Sequence, residues 1–152
     1  MIKIKDKYIL GIIVSIIANF IRNIFNSIFY MLNINQYLPR QLAAATFIPA
    51  DMVDTRGGMI IGIFADYGVA IFIGIFIVYL LYYIGIEFNL IKGISVGIFF
   101  WINLFGMMLK YNLSDINPTD INTNLIFLVN HILLGALIAW LAVKLGKDLL
   151  SK

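Results

Sequence analysis

The chain has 152 residues, of which 62% are hydrophobic and 12% charged, about half the charge of a soluble domain of this size, which excludes a water-soluble globule. The lack of cysteine removes disulfides, thiolate catalysis, iron–sulfur clusters and cysteine-based zinc sites. A net charge of +3 scattered along the chain is not the basic stripe that nucleic acid requires, so the partner the composition implies is a lipid bilayer.

A bilayer-spanning helix needs about 20 apolar residues, and four runs qualify. The first covers about residues 9–32, after Lys3, Lys5 and Lys7. An outer loop over residues 33–57 follows. Within it Pro39 is placed to open, and Pro49 to close, a short helix holding Leu42, Ala43, Ala44, Ala45 and Phe47, because proline suits the first helical turn and not the interior. Such a segment lies at the membrane interface, dips inward, or packs as an ordinary loop. The apolar stretch 59–109 is too long for one helix and is interrupted by Glu87, Asn89 and Lys92. It reads as a hairpin with arms at about 58–84 and 91–109. The last helix spans about 123–143, between the turn-forming Ser114, Asp115, Asn117, Pro118 and Asp120 and the basic Lys144 and Lys147. The expected fold is all-α, a single domain forming a four-transmembrane-helix bundle.

Basic residues are retained on the cytoplasmic side of a membrane. One set of segments holds Lys3, Lys5, Lys7, Lys92, Lys144, Lys147 and Lys152, while the other holds Arg40, Arg56 and Lys110 beside Asp51, Asp54, Asp115 and Asp120. Both termini are therefore expected to be cytoplasmic. A cleaved signal peptide ending near Ala43 and Ala45 is the alternative, disfavoured because Arg22 and several asparagines follow the apolar core and the alanines lie too far downstream. Gly11-Ile12-Ile13-Val14-Ser15-Ile16 is echoed by Gly93-Ile94-Ser95-Val96-Gly97-Ile98, as in a chain built of two related hairpins.

Arg22 falls in the middle of the first helix, where an uncompensated charge is costly, so it needs a partner. Ser15, Asn19, Asn26 and Tyr30 share its face, with Asn23 beside them. Asp66 of the second helix lies at a comparable depth, ~12 Å from the outer boundary at 1.5 Å per residue. Asn103 of the third helix and Asn130 and His131 of the fourth fall in the same slab. The expectation is one buried polar layer of Arg22, Asp66, His131, Asn19, Asn23, Asn103 and Asn130. Gly58, Gly62, Asp66, Ala70 and Gly74 recur every four residues, and Gly93, Gly97 and Gly135 add small positions on the last two helices; such grooves let membrane helices approach closely.

An intramembrane ionisable cluster reads as functional, and a histidine beside a carboxylate is able to change charge near neutral pH. The expected role is transport-related, or a response to ions or protons. The alternative is a non-catalytic scaffold or accessory subunit, in which the pair fixes helix register and the grooves bind a second copy or another membrane protein. An enzyme is disfavoured, since no nucleophile–base arrangement, phosphate loop or paired catalytic carboxylate is recognisable. No cofactor or metal is expected: one histidine cannot supply bis-histidine haem ligation, and Asp51, Asp54, Asp115 and Asp120 read as solvated loop acids before they read as a hard-cation site. Tyr8, Tyr30, Tyr79, Tyr82, Tyr83 and Tyr111 lie near helix ends as interface anchors.

Lys92-Gly93 with Gly97, Pro118 in the following loop, His131 with Trp140 downstream, and Leu38-Pro39-Arg40 together resemble the YagU-like family of uncharacterised bacterial inner-membrane proteins. That resemblance implies a multi-pass protein of the bacterial plasma membrane. The family typically has glycine before the last-helix histidine, where this chain has Asn130.

Overall fold

The computed structural model describes residues 4–151; Lys3 and Lys152, counted above toward one side of the membrane, lie outside them. Asp6 accepts a hydrogen bond from Ile9 N at 2.9 Å and caps α1, Lys7–Met31, which thus begins before its apolar run. Asn33, in the left-handed region at φ 56°, follows its end. The short α2, Pro39–Ala44, has Pro39 in its first turn, and Gln41 Oε1 accepts from Leu38 N at 2.7 Å. Thr55 caps α3, Arg56–Ile84, and Gly85 at φ +86° turns the chain after it. Helix α4, Asn89–Lys110, carries a π-helical turn at Trp101–Phe105. Asp120 caps α5, Ile121–Leu150, through Thr123 N at 2.7 Å.

Four of these helices, α1, α3, α4 and α5, are long and apolar enough to cross a membrane. Their bundle is inside out by soluble standards. Large apolar side chains such as Phe20, Phe64 and Phe72 face outward, while Asn19, Asn26, Arg22 and Asp66 are buried.

An even number of spans puts both chain ends, with the α3–α4 turn, at one end of the bundle, here the terminal end; the other, the loop end, holds α2. Helix α1 packs on α3 and α5, and α4 packs on α5. Glycines set both hairpin contacts. Gly74 of α3 lies against Ser15 and the Gly11 carbonyl of α1, and Gly93 and Gly97 of α4 lie against the backbone of Gly135 and His131 of α5. Gly11 and Gly93, the matched positions of the sequence echo, therefore both sit where the two helices of a hairpin cross.

Two apolar cores result. The terminal half is filled by Leu10, Val14, Ile73, Ile77, Leu134 and Ile138, with Leu150 closing it. The loop half is organised around α2, whose Leu42 and Ala44, with the following Ala45, pack with Val53, Phe105, Ile116 and Phe127. The backbone of Arg40 rests on Gly62 and that of Met52 and Val53 on Gly58. Gly62 is six residues into α3, so α2 dips ~9 Å into the bundle. Ser114 Oγ and Asp115 N, donating to the carbonyls of Leu42 and Ala45 at 3.3 and 3.0 Å, tie it to the second loop.

The structure departs from the sequence expectation at three places. Pro49 does not close the short helix, which ends at Ala44, leaving Phe47 outside it and 70% exposed. The α3–α4 break is shorter than expected: α4 restarts at Asn89 after Phe88 at φ 53°, and Lys92, inside the helix, donates to the carbonyls of Ile84 and Gly85 at 3.2 and 2.8 Å. Those are orphan acceptors at a helix C-terminus, where a cation is favoured. Helix α5 continues past residue 143 to Leu150, across a kink at Gly146 (φ −132°, ψ 25°), and its last turns pack on the terminal core.

A Cβ at Gly135 would strike the Gly93 carbonyl, whereas one at Gly68 meets nothing within 4 Å. Gly135→Ala is predicted to lose about 1–3 kcal/mol by overpacking and Gly68→Ala to lose nothing, as read by denaturant titration of helicity in detergent micelles.

Candidate functional site

Position 22 of α1 and position 66 of α3 are nine and ten residues from the loop-end termini of their helices, ~14–15 Å along the axis. At that level Arg22 Nη2 meets Asp66 Oδ1 at 2.5 Å. Asn19 Nδ2 and Asn23 Nδ2 donate to the other carboxylate oxygen at 2.9 and 3.0 Å. Residues 19, 22 and 23 share one helix face by their three- and four-residue spacing, so α1 presents three donors to a single acceptor on α3. Arg22 is 4% and Asp66 7% exposed.

One turn toward the loop end, Asn26 forms a second cluster. Its Oδ1 accepts from Asn35 Nδ2 at 2.9 Å and from Asn130 Nδ2 of α5 at 3.0 Å. Thr123 Oγ1 accepts from Gln36 N at 3.1 Å nearby in the chain. The inward face of α1 is thus a polar column from Asn19 to Asn26, ending at the segment before α2. Four buried atoms along it, Asn19 Oδ1, Arg22 Nε, Asn26 Nδ2 and Asn35 Oδ1, make no hydrogen bond to the protein.

The expected layer is therefore divided. Arg22, Asp66, Asn19 and Asn23 meet directly, and Asn130 joins Asn26 instead. Asn103 does not meet them: its Nδ2 donates to Phe99 O at 2.8 Å within its own helix. That capture by a local carbonyl is the usual alternative for an asparagine facing no polar neighbour. His131 makes no hydrogen bond to the pair; its Nδ1 lies 2.7 Å from Phe127 O. Because a carbonyl only accepts, Nδ1 is the donor, which leaves Nε2 with a free lone pair. Tyr30, on the same stripe in sequence, is 38% exposed, and Ser15 donates to the Gly11 carbonyl at 2.8 Å.

Two cavities reach Asp66. One, of about 220 Å³, is lined by Asn23, Ser27, Arg40 and Tyr67 together with Asp66. The other, of about 270 Å³, has Arg22, Asp66 and His131 among otherwise largely apolar walls. Residues of α2 line both, Arg40 the first, beside the preceding Leu38, and Pro39 and Leu42 the second. On the terminal side of the pair the bundle is packed with core side chains that are at most 8% exposed.

The sequence places Asn26 on the right face and assigns it no partner. Its position, i+4 from Arg22, carried the signal. Asn35 and Arg40 come from the loop and no periodicity points to them. Of the loop acids, Asp54 accepts from Gln41 Nε2 at 2.9 Å and Asp120 caps α5. Among the described residues no group of three or more histidine, aspartate or glutamate side chains is placed to hold a metal.

No protein family, curated protein or solved structure matches the chain, and no match links it to the YagU-like family.

Breaking a buried ion pair leaves an uncompensated charge costing about 3–5 kcal/mol, whereas replacing both partners by apolar groups is often neutral. Asp66→Leu and Arg22→Met are therefore each predicted to destabilise by about that amount and Arg22→Met/Asp66→Leu to recover most of it. A double-mutant cycle on the detergent-solubilised protein measures the coupling.

Proposed function

We propose that this chain is a multi-pass protein of the bacterial plasma membrane with both termini in the cytoplasm. On this reading Asp66, held by Arg22, responds to ions or protons arriving from the outer side, and the activity is transport-related. The distribution of lysine and arginine supports the orientation, making the loop end the outer one.

The observation that carries the reading is that Asp66, 7% exposed and ion-paired, lines two cavities in the loop half while the terminal half is a closed apolar core. A pair that only fixed helix register would have no use for cavities on it. Three unpartnered polar atoms on α1, with Asn35 Oδ1 just beyond it, support the reading further, since buried groups of this kind are commonly satisfied by internal water.

The chemistry follows from the donors. Arg22 stays charged, so any proton or cation that takes over Asp66 strands a guanidinium in the hydrocarbon. That state is costly, and the strain it puts on the α1–α3 contact is the means by which binding at Asp66 is converted into movement of the helices.

A scaffold role is the second reading. It is favoured by Gly57 and Gly68, positions of α3 with nothing packed beside them, which would accept a helix of another membrane protein or a second copy. Stoichiometric co-purification with one membrane protein would favour it.

Proteoliposomes loaded with a pH-sensitive dye test the leading proposal. Wild-type protein is predicted to take up protons after an external acid pulse, and Asp66→Asn to do so at least about tenfold more slowly with unchanged helicity, about 1.4 kcal/mol of barrier or more. Equal rates in the two proteins reject a role for the Asp66 charge.

A further inference from the structure

The larger of the two cavities has a polar floor and apolar walls. Arg22, Asp66 and His131 form the floor, and Leu42, Ala43, Val69, Leu104, Met108 and Phe127 stand around it. Its mouth is lateral. Helices α3 and α4 meet through Phe72 and Phe76 on Phe100, with ring centroids 5.9 and 5.7 Å apart. On the loop side of that crossing, Val69 and Leu104 both line the cleft, yet each is 43% exposed. Both lie on spanning helices, so what faces them there is acyl chain. Leu104 and Phe105 belong to the π-helical turn of α4, a distortion found frequently at functional sites.

The floor defines the head group. Arg22 and Asp66 neutralise each other, so a charged head would bring an uncompensated charge into a low-dielectric site. The floor offers a ligand donors on one side and an acceptor on the other: the guanidinium of Arg22 donates to the protein only from Nη2, to Asp66, and His131 Nε2 is left free by the Nδ1 bond to Phe127 O. A hydroxyl supplies the complement of both, donating to the imidazole and accepting from the guanidinium.

We propose that this cleft binds a single-chain lipid with an uncharged hydroxyl head, admitted sideways from the bilayer between α3 and α4. The head lies on Arg22 and His131, and the first part of the chain lies among the walls. At about 270 Å³ the cleft is near the lower end of small-molecule sites, about 300 Å³, so the rest of the chain stays in the bilayer. The site goes beyond the ion response proposed above, and either is able to fail without the other.

Trp140→Phe leaves Trp101 as the single tryptophan, and Trp101 packs against the Phe105–Phe127 cluster at the cleft. The full-length variant, in phosphatidylcholine nanodiscs, is titrated with a monooleoylglycerol brominated at its double bond. Saturable quenching is expected, reversed by plain monooleoylglycerol, with oleyl phosphate at least about tenfold weaker as a competitor. Adding Ala43→Phe should abolish the saturable component. His131→Phe should weaken binding about tenfold, the size of one net hydrogen bond, and His131→Asn, which keeps an acceptor, should restore part of it. Quenching that rises without saturation, or is the same with phenylalanine at position 43, would mean bulk lipid contact and overturn the site. Equal competition by oleyl phosphate would overturn the assignment of an uncharged head.

Discussion

A guanidinium placed nine residues deep in an apolar helix is the constraint on which the rest of this structure depends. In hydrocarbon it has no solvent to fall back on, so it must be met across a helix interface. The partner, Asp66, is itself unaffordable alone. Neither residue is tolerable in the bundle without the other, and together they set the register of α1 against α3. Asn19 and Asn23 then occupy the remaining carboxylate oxygen at 2.9 and 3.0 Å, which divides the negative charge among three donors of one helix face.

The pair also explains why the two halves of the bundle are built differently. Toward the chain ends, helices meet through glycine contacts and fully buried aliphatic side chains, a construction driven by close packing. Toward the loops, α2 takes the place that a side-chain core would otherwise fill. Its backbone lies on Gly62, and that of the following Met52 and Val53 on Gly58, both of the same stripe that carries Asp66. Polar backbone at this depth is acceptable only because it is enclosed by protein. The outcome is a charge pair at the floor of a plugged, partly open half and at the roof of a closed one.

Much of this was legible in the sequence because membrane insertion leaves few solutions. Hydrophobic length located the four spans, and the breaks at Glu87 and at Pro118 separated them. The Arg22–Asp66 partnership could be read from depth alone, since two intramembrane charges of opposite sign at one level have little else to do. What could not be read were contacts decided by local geometry. Asn103 and His131 fell in the right slab, but carbonyls four residues earlier in their own helices captured both side chains, a choice that depth does not reveal. Asn26 looked no different from its neighbours until Asn35, brought back by the loop, and Asn130 converged on it. The end of α2 at Ala44 is likewise set partly by tertiary structure: Asp115 N of the second loop takes the Ala45 carbonyl, an acceptor that Pro49, lacking an N–H, cannot satisfy by continuing the helix.

The account stands on Arg22 and Asp66 being joined as ions inside a bilayer. Solid-state NMR recoupling between the guanidinium nitrogens of Arg22 and the carboxyl carbon of Asp66 measures this directly in lipid, with Arg40 and Arg56 changed to lysine so that one arginine remains. A hydrogen-bonded separation and the chemical shift of an ionised carboxylate are predicted. Nitrogens too far from that carbon for a contact, or a carboxyl signal of the protonated form in the resting protein, would contradict it.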